Sequence, residues 1–122
     1  MATVLVVEDN VDNMTLAVFL LESEGYTVLS AVTAEVGLTV AHEHHPDLIL
    51  MDIQLPGMDG LEATALLKSN PATRDIPVIA LTALAMRGDE ERILAAGCDG
   101  YIAKPMSYQT FLGTVAAQLA RV

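Results

Sequence analysis

Residues 47–60 read DLILMDIQLPGMDG, and four apolar residues, Leu48 to Met51, run straight into Asp52. A carboxylate at the end of a strand that looks buried on both faces needs a partner or a chemical task. Asp59 has the simpler explanation of an N-cap for the helix that begins DGLEATALL. Asp52 lies seven residues earlier, before Pro56, and does not cap that helix. Two more acids, Glu8 and Asp9, follow the first apolar run, TVLVV. Brought together, three bare carboxylates repel one another and raise their own pKa values. A divalent cation removes that penalty. Magnesium suits a site of few carboxylates, retained waters and a phosphate oxygen. Beside such a metal, an Asp52 oxygen can attack a phosphorus centre. Lys104 would balance the phosphoryl charge as a point cation, and Thr82 would offer a hydroxyl to a phosphoryl oxygen. Taken singly, each has a plainer explanation. Glu-Asp suits a solvated loop, Lys104 a solvated surface, and Thr82 the end of a strand.

The elements that must position these groups follow from the patterning. Short apolar runs at Thr3–Val7, Thr27–Ala31, Leu48–Met51, Pro77–Leu81 and Tyr101–Ala103 read as strands. Longer stretches at Val11–Glu24, Ala34–His44, Leu61–Ser69, Gly88–Ala96 and Ser107–Arg121 read as helices. In the first helix the apolar residues Leu16, Phe19, Leu20 and Leu21 have the spacing of a helix face, and Gly25 supplies a stop. Ser107 is suited to cap the last helix. Strict strand–helix alternation predicts an α/β domain with a parallel sheet covered on both faces. The continuous apolar runs TVLVV, LILM and VIAL fit strands buried on both sides. Ligands of such sheets bind beyond the carboxyl ends of the strands. Glu8 and Asp9 follow the first strand, Asp52 the third, Thr82 and Ala83 the fourth, and Lys104 and Pro105 the fifth. Only Val32 and Thr33 follow the second.

The bulk composition bounds the function. The 122 residues suffice for one domain, residues 1–122, and 52% hydrophobic content supports a packed core. With aromatics at 4%, that core must be aliphatic. A net charge of −10 repels phosphate backbones, which argues against nucleic acid and favours cations or basic partner surfaces. The single cysteine, Cys98, excludes an internal disulfide and a thiolate cluster, and reads as buried filler. No apolar run reaches membrane-spanning length, and acids follow the first apolar stretch at once, unlike a signal segment. The cytoplasm is the expected compartment.

In chain order, VLVVEDN, DLILMDIQLPGMDGLEA, IPVIALTALA and GCDGYIAKP resemble the receiver domain of two-component response regulators. The resemblance covers the whole chain without a large gap. It implies a flavodoxin-like (βα)5 fold with five parallel strands in the order 2-1-3-4-5. It further implies that Asp52 is the phosphoacceptor, and that Glu8, Asp9, Asp52 and the backbone carbonyl of Gln54 hold Mg2+. Thr82 and Tyr101 would be the switch residues and Lys104 the conserved lysine, with a cis bond between Lys104 and Pro105. The donor would be a phosphohistidine on a histidine kinase or a histidine phosphotransfer protein. A downstream protein would read the face of the fourth helix, fifth strand and fifth helix. On that pattern Met86 and the residues around Arg87, Ile93 and Tyr101 face the partner. Gln54 and Leu84 flank the line of water attack, and apolar Leu84 cannot orient a water, so slow to moderate self-dephosphorylation is expected. Such a domain is not an enzyme beyond its own phosphoryl transfer.

Rival classes fare less well. An aspartate-nucleophile phosphatase of the haloacid-dehalogenase type needs a second aspartate two residues after the first, where this chain has Gln54. A nucleotide-binding flavodoxin-like module needs a Gly-rich loop, and VVEDNVDN has no glycine. Within the receiver family, a stand-alone regulator and a receiver cut from a hybrid histidine kinase or larger regulator both fit; the start at Met1 favours the first. His42, His44 and His45 near the end of the second helix suit a helix C-terminus better than a metal site.

Overall fold

The computed structural model describes residues 2–83, 87–104 and 107–120. Its strands are β1 (Thr3–Val7), β2 (Thr27–Ala31), β3 (Leu48–Asp52), β4 (Val78–Thr82) and β5 (Gly100–Ala103). They alternate with α1 (Val11–Ser23), α2 (Ala34–His44), α3 (Gly60–Ser69), α4 (Arg87–Ala95) and α5 (Tyr108–Leu119). All pairings are parallel and the order is β2-β1-β3-β4-β5. The alternation, the parallel sheet and the strand order are those expected from the sequence.

Side chains on successive strand residues leave opposite faces of the sheet. Val4, Val6, Leu48, Leu50, Ile79 and Leu81 therefore pack toward α1 and α5. Leu5, Val7, Ile49, Met51, Val78 and Ala80 pack toward α2 and α3, with Ile93 of α4 on the same side. Phe111 is the large anchor of α5 and is fully buried. Phe111→Ala is expected to lower unfolding free energy by about 3–5 kcal/mol, measured by urea denaturation with an unchanged slope.

Local chemistry fixes the helix ends. Asn10, Thr33, Asp59 and Ser107 each accept a hydrogen bond from the backbone N–H three residues on, so the Asp59 and Ser107 caps are as expected. Helix α2 stops at His45, whose left-handed backbone (φ 46) turns the chain into Pro46. Strand β3 runs one residue further than expected and includes Asp52, and β4 likewise takes in Thr82 while Pro77 falls outside it. Asp52 and Thr82 thus sit on the sheet itself, while Glu8, Asp9 and Lys104 stand just beyond the ends of β1 and β5.

One expectation about α1 is corrected. Leu21 is buried and Leu20 packs partly against the core, but Leu16 and Phe19 are 56% and 67% exposed. The buried stripe passes instead through Met14, Ala17 and Leu21, at helical spacing. Ala17 is small enough to let the helix lie close to the sheet, a role that hydropathy alone does not reveal.

Candidate functional site

Asp52 ends the central strand β3, and its carboxylate is buried. Its Oδ1 accepts from the backbone N–H of Gln54 at 2.9 Å, and its Oδ2 accepts from Lys104 Nζ at 3.2 Å. Glu8 follows β1 and extends the ladder by one residue, donating its N–H to the Ala31 carbonyl at 3.0 Å. The ladder directs its side chain inward, where it is 1% exposed. Its Oε1 accepts from Lys104 Nζ at 2.8 Å, while Oε2 accepts weakly from the Asn10 N–H at 3.4 Å. Lys104 follows β5, and its backbone N–H is tied to the Thr82 carbonyl, which aims the side chain back across the strand ends. One ammonium thus spans two carboxylates from two other strands.

Asp9 is exposed, and one carboxylate oxygen from each of Glu8, Asp9 and Asp52 lies within 4.8 Å of the others. That is a set of hard oxygen ligands of the kind magnesium takes. Among the described residues it is the one such group of His, Cys, Asp and Glu side chains, and His42, His44 and His45 are exposed outside it. Thr82, fully buried, ends the neighbouring strand β4. Tyr101 lies on β5, 39% exposed. Gln54 is exposed, and the group that reaches Asp52 is its N–H. The Lys104–Pro105 bond, Leu84, Met86 and the Arg87 side chain lie outside the described residues. Ile93, expected to face a partner, is instead buried against the core, because the turn of α4 points it at the sheet.

The electrostatics of the cluster have a testable consequence. Burial, and next the Asp52 carboxyl, push the Glu8 carboxyl from 4.5 up to about 7. Lys104 loses some basicity to burial, but its bond to Glu8 and the charge of Asp52 outweigh this and leave it above its usual value. Between pH 4.5 and 7 the folded metal-free chain keeps a Glu8 proton that the unfolded chain loses. Glu8 therefore contributes stability at acid pH that disappears as pH rises through 7. Relative to Glu8→Gln, the native chain is expected to lose several degrees of Tm between pH 5.5 and 8. A divalent cation binds the deprotonated carboxylate, so the Tm gain from added Mg2+ should be larger at pH 8 than at pH 5.5. Thermal melts of both proteins at both pH values check this.

Two supports were not foreseen from sequence. Lys68, at the end of α3, donates to the Ile76 carbonyl at 2.8 Å and to Asp99 Oδ2 at 3.0 Å. Asp99 Oδ2 also accepts from the Val78 N–H at 2.8 Å, so one lysine ties α3 to the entrances of β4 and β5. The second support is a buried contact between Gly60 and the backbone of Asp52. Lys68 and Asp99 are 31 residues apart and leave no periodic signal; the Gly60 contact depends on how the loop after β3 folds back.

Comparison with known proteins matches this geometry. The family model described as "Response regulator receiver domain" matches residues 4–116. The chain is 51% identical over 117 residues to the polar-differentiation response regulator DivK of Brucella ovis, covering 96% of this chain and 95% of that protein. It superposes with a TM-score of 0.90 and 35% identity on the receiver domain of sensor histidine kinase PA1611 from Pseudomonas aeruginosa, a structure with a magnesium ion coordinated in its active-site cleft; 98% of each chain is covered. The chemotaxis response regulator CheY4 of Vibrio cholerae superposes at a TM-score of 0.92 and 26% identity, over 97% of this chain and 98% of that one. The meeting of an aspartate, an acidic pair and a lysine at the strand ends, with a family match over nearly the whole length, shows that the chain belongs to the response regulator receiver domains of two-component signalling.

Proposed function

We propose that Asp52 is the phosphoacceptor and that the phosphoryl group comes from a phosphohistidine on a histidine kinase or a histidine phosphotransfer protein. The observation that carries this is Lys104, which reaches both Glu8 and Asp52 from the end of β5. In the transfer, a carboxylate oxygen of Asp52 forms a bond to phosphorus as the phosphorus–nitrogen bond breaks. The bonding pair leaves with the imidazole nitrogen. Lys104 provides a fixed cation for the oxygens of the moving group. The N–H of Gln54 orients the carboxylate from the opposite side. Glu8, Asp9, Asp52 and the Gln54 carbonyl would hold Mg2+. It would supply positive charge that offsets the negative charge of the carboxylates and of the incoming phosphoryl group.

The product adds about 1.5–2 negative charges at the sheet edge. Thr82 then moves its hydroxyl to the phosphoryl group, and the half-exposed Tyr101 turns inward. This biases a two-state face made by α4, β5 and α5, which a downstream protein reads. Leu94 and Tyr101 already present apolar surface there. The acceptor performs no other catalysis, and its self-dephosphorylation is slow to moderate. No Lys or Arg precedes Lys68, so partners of the β1–α3 half should present basic surfaces.

Among the described residues, no helix is long and apolar enough to cross a membrane. We place the protein in the cytoplasm, where kinase phosphohistidines are formed. The 51% identity to a DivK protein matched over 95% of its length favours the single-domain type over a hybrid-kinase receiver. Incubation with acetyl phosphate and Mg2+ tests the reading, scored as acid-labile phosphate on the intact protein.

A further inference from the structure

Gly60 is the first residue of α3 and lies directly against the end of β3. A Cβ built on it would contact the Asp52 carbonyl oxygen, and would lie 2.7 Å from Ile53 Cα and 2.9 Å from the Asp52 carbonyl carbon. All three are backbone atoms, which cannot rotate aside. The backbone at Gly60 is not among the left-handed glycines Gly25, Gly57 and Gly97. Glycine is therefore required here by close approach, not by conformation. The two segments are also bonded: the Gly60 N–H donates to the Ile53 carbonyl at 3.3 Å. The Ile53 N–H donates in turn to Leu81 at 3.2 Å.

The turn that carries Gly60 is braced from behind. Buried Thr64 donates its hydroxyl to the Gly60 carbonyl at 2.8 Å, and Cys98 Sγ donates to Thr64 Oγ1 at 3.8 Å. Cys98 immediately precedes Asp99, which is held by Lys68. A buried line thus runs from the entrance of β5 through α3 to the peptide that bears Asp52. We infer that Gly60 is a positioning residue for phosphoryl transfer: its contact with the Asp52 backbone, held by Thr64 and Cys98, sets where the carboxylate stands relative to Lys104 and Glu8. Nothing in helix or turn chemistry requires glycine at this first helical position. Alanine is intrinsically the better helix former. The inference rests on Asp52 being the acceptor.

The test uses Gly60→Ala, Thr64→Val and Thr64→Ser, with Gly113→Ala as control because a Cβ at Gly113 meets nothing within 4 Å. Phosphorylation by acetyl phosphate is followed at saturating Mg2+. The Gln54 amide resonance of the metal-free protein reports separately on the Asp52 carboxylate that it binds. Gly60→Ala should lower the saturating rate tenfold or more and shift the Gln54 resonance, with the half-saturating donor concentration within twofold of native. Thr64→Val should lower the rate at least threefold, and Thr64→Ser should restore it. Gly113→Ala should match native. A folded Gly60→Ala with a rate within threefold of native overturns the inference. Where Gly60→Ala does not fold, the threonine pair decides: a native rate in Thr64→Val, or a loss that serine does not restore, overturns it. Failure of the native protein to accept phosphate would instead overturn the acceptor reading itself.

Discussion

Asp52→Asn is expected to reduce phosphorylation by acetyl phosphate at least about a hundredfold while leaving the fold intact. An amide has no anionic oxygen to attack phosphorus. Its carbonyl oxygen still accepts from the Gln54 N–H or from Lys104, the two partners of the native carboxylate, so the end of β3 keeps its anchorage. The metal-free variant should be no less stable than native at pH 8. It removes one of the two carboxylates facing Lys104, and the Asp52 carboxyl is the second cause, after burial, of the raised Glu8 pKa. Acid-labile phosphate and a thermal melt on the same preparations check both halves. A variant lost through misfolding would fail the second.

Lys104→Met is expected to act in the opposite sense on stability. It leaves Glu8 and Asp52 buried and facing each other without their shared cation. Breaking a buried pair by removing one partner costs roughly 3–5 kcal/mol. Lys104 keeps part of its side chain in water, so a loss nearer the lower bound is expected at pH 8. The loss should shrink toward pH 5.5, where Glu8 takes up a proton. Phosphorylation should fall at least tenfold at saturating Mg2+, because the phosphoryl oxygens lose their fixed protein cation. Lys104→Arg should restore stability better than rate. A planar guanidinium does not replace a point charge that meets Oε1 of Glu8 at 2.8 Å and Oδ2 of Asp52 at 3.2 Å. Urea denaturation at the two pH values, beside the rate assay, checks each part.

These opposite signs follow from an arrangement that was largely readable before the structure. The continuous apolar runs and the strand–helix alternation define a parallel sheet, and chemistry at the carboxyl ends of its strands follows from that topology. Glu8, Asp52 and Lys104 were therefore placed together by counting which residues follow each strand. Burial of individual helix residues was less readable. Leu16 and Phe19 are as apolar as Leu21, yet α1 turns them to solvent and sets Ala17 against the sheet. Ile93 was expected to face outward and is buried. Hydropathy ranks side chains, but helix rotation about its own axis is set by packing against the strands. The Lys68–Asp99 tie joins residues 31 apart, and the Gly60 contact depends on how the loop after β3 folds back, which periodicity does not report.

The phosphoryl group is expected to sit on Asp52. Borohydride reduces an aspartyl phosphate to homoserine, which marks the modified position permanently. The native protein, treated with acetyl phosphate and Mg2+, reduced, digested and sequenced by mass spectrometry, should carry homoserine at position 52 and nowhere else. Homoserine at Asp9 or at any other aspartate, with residue 52 unmodified, would mean that Asp52 is not the acceptor.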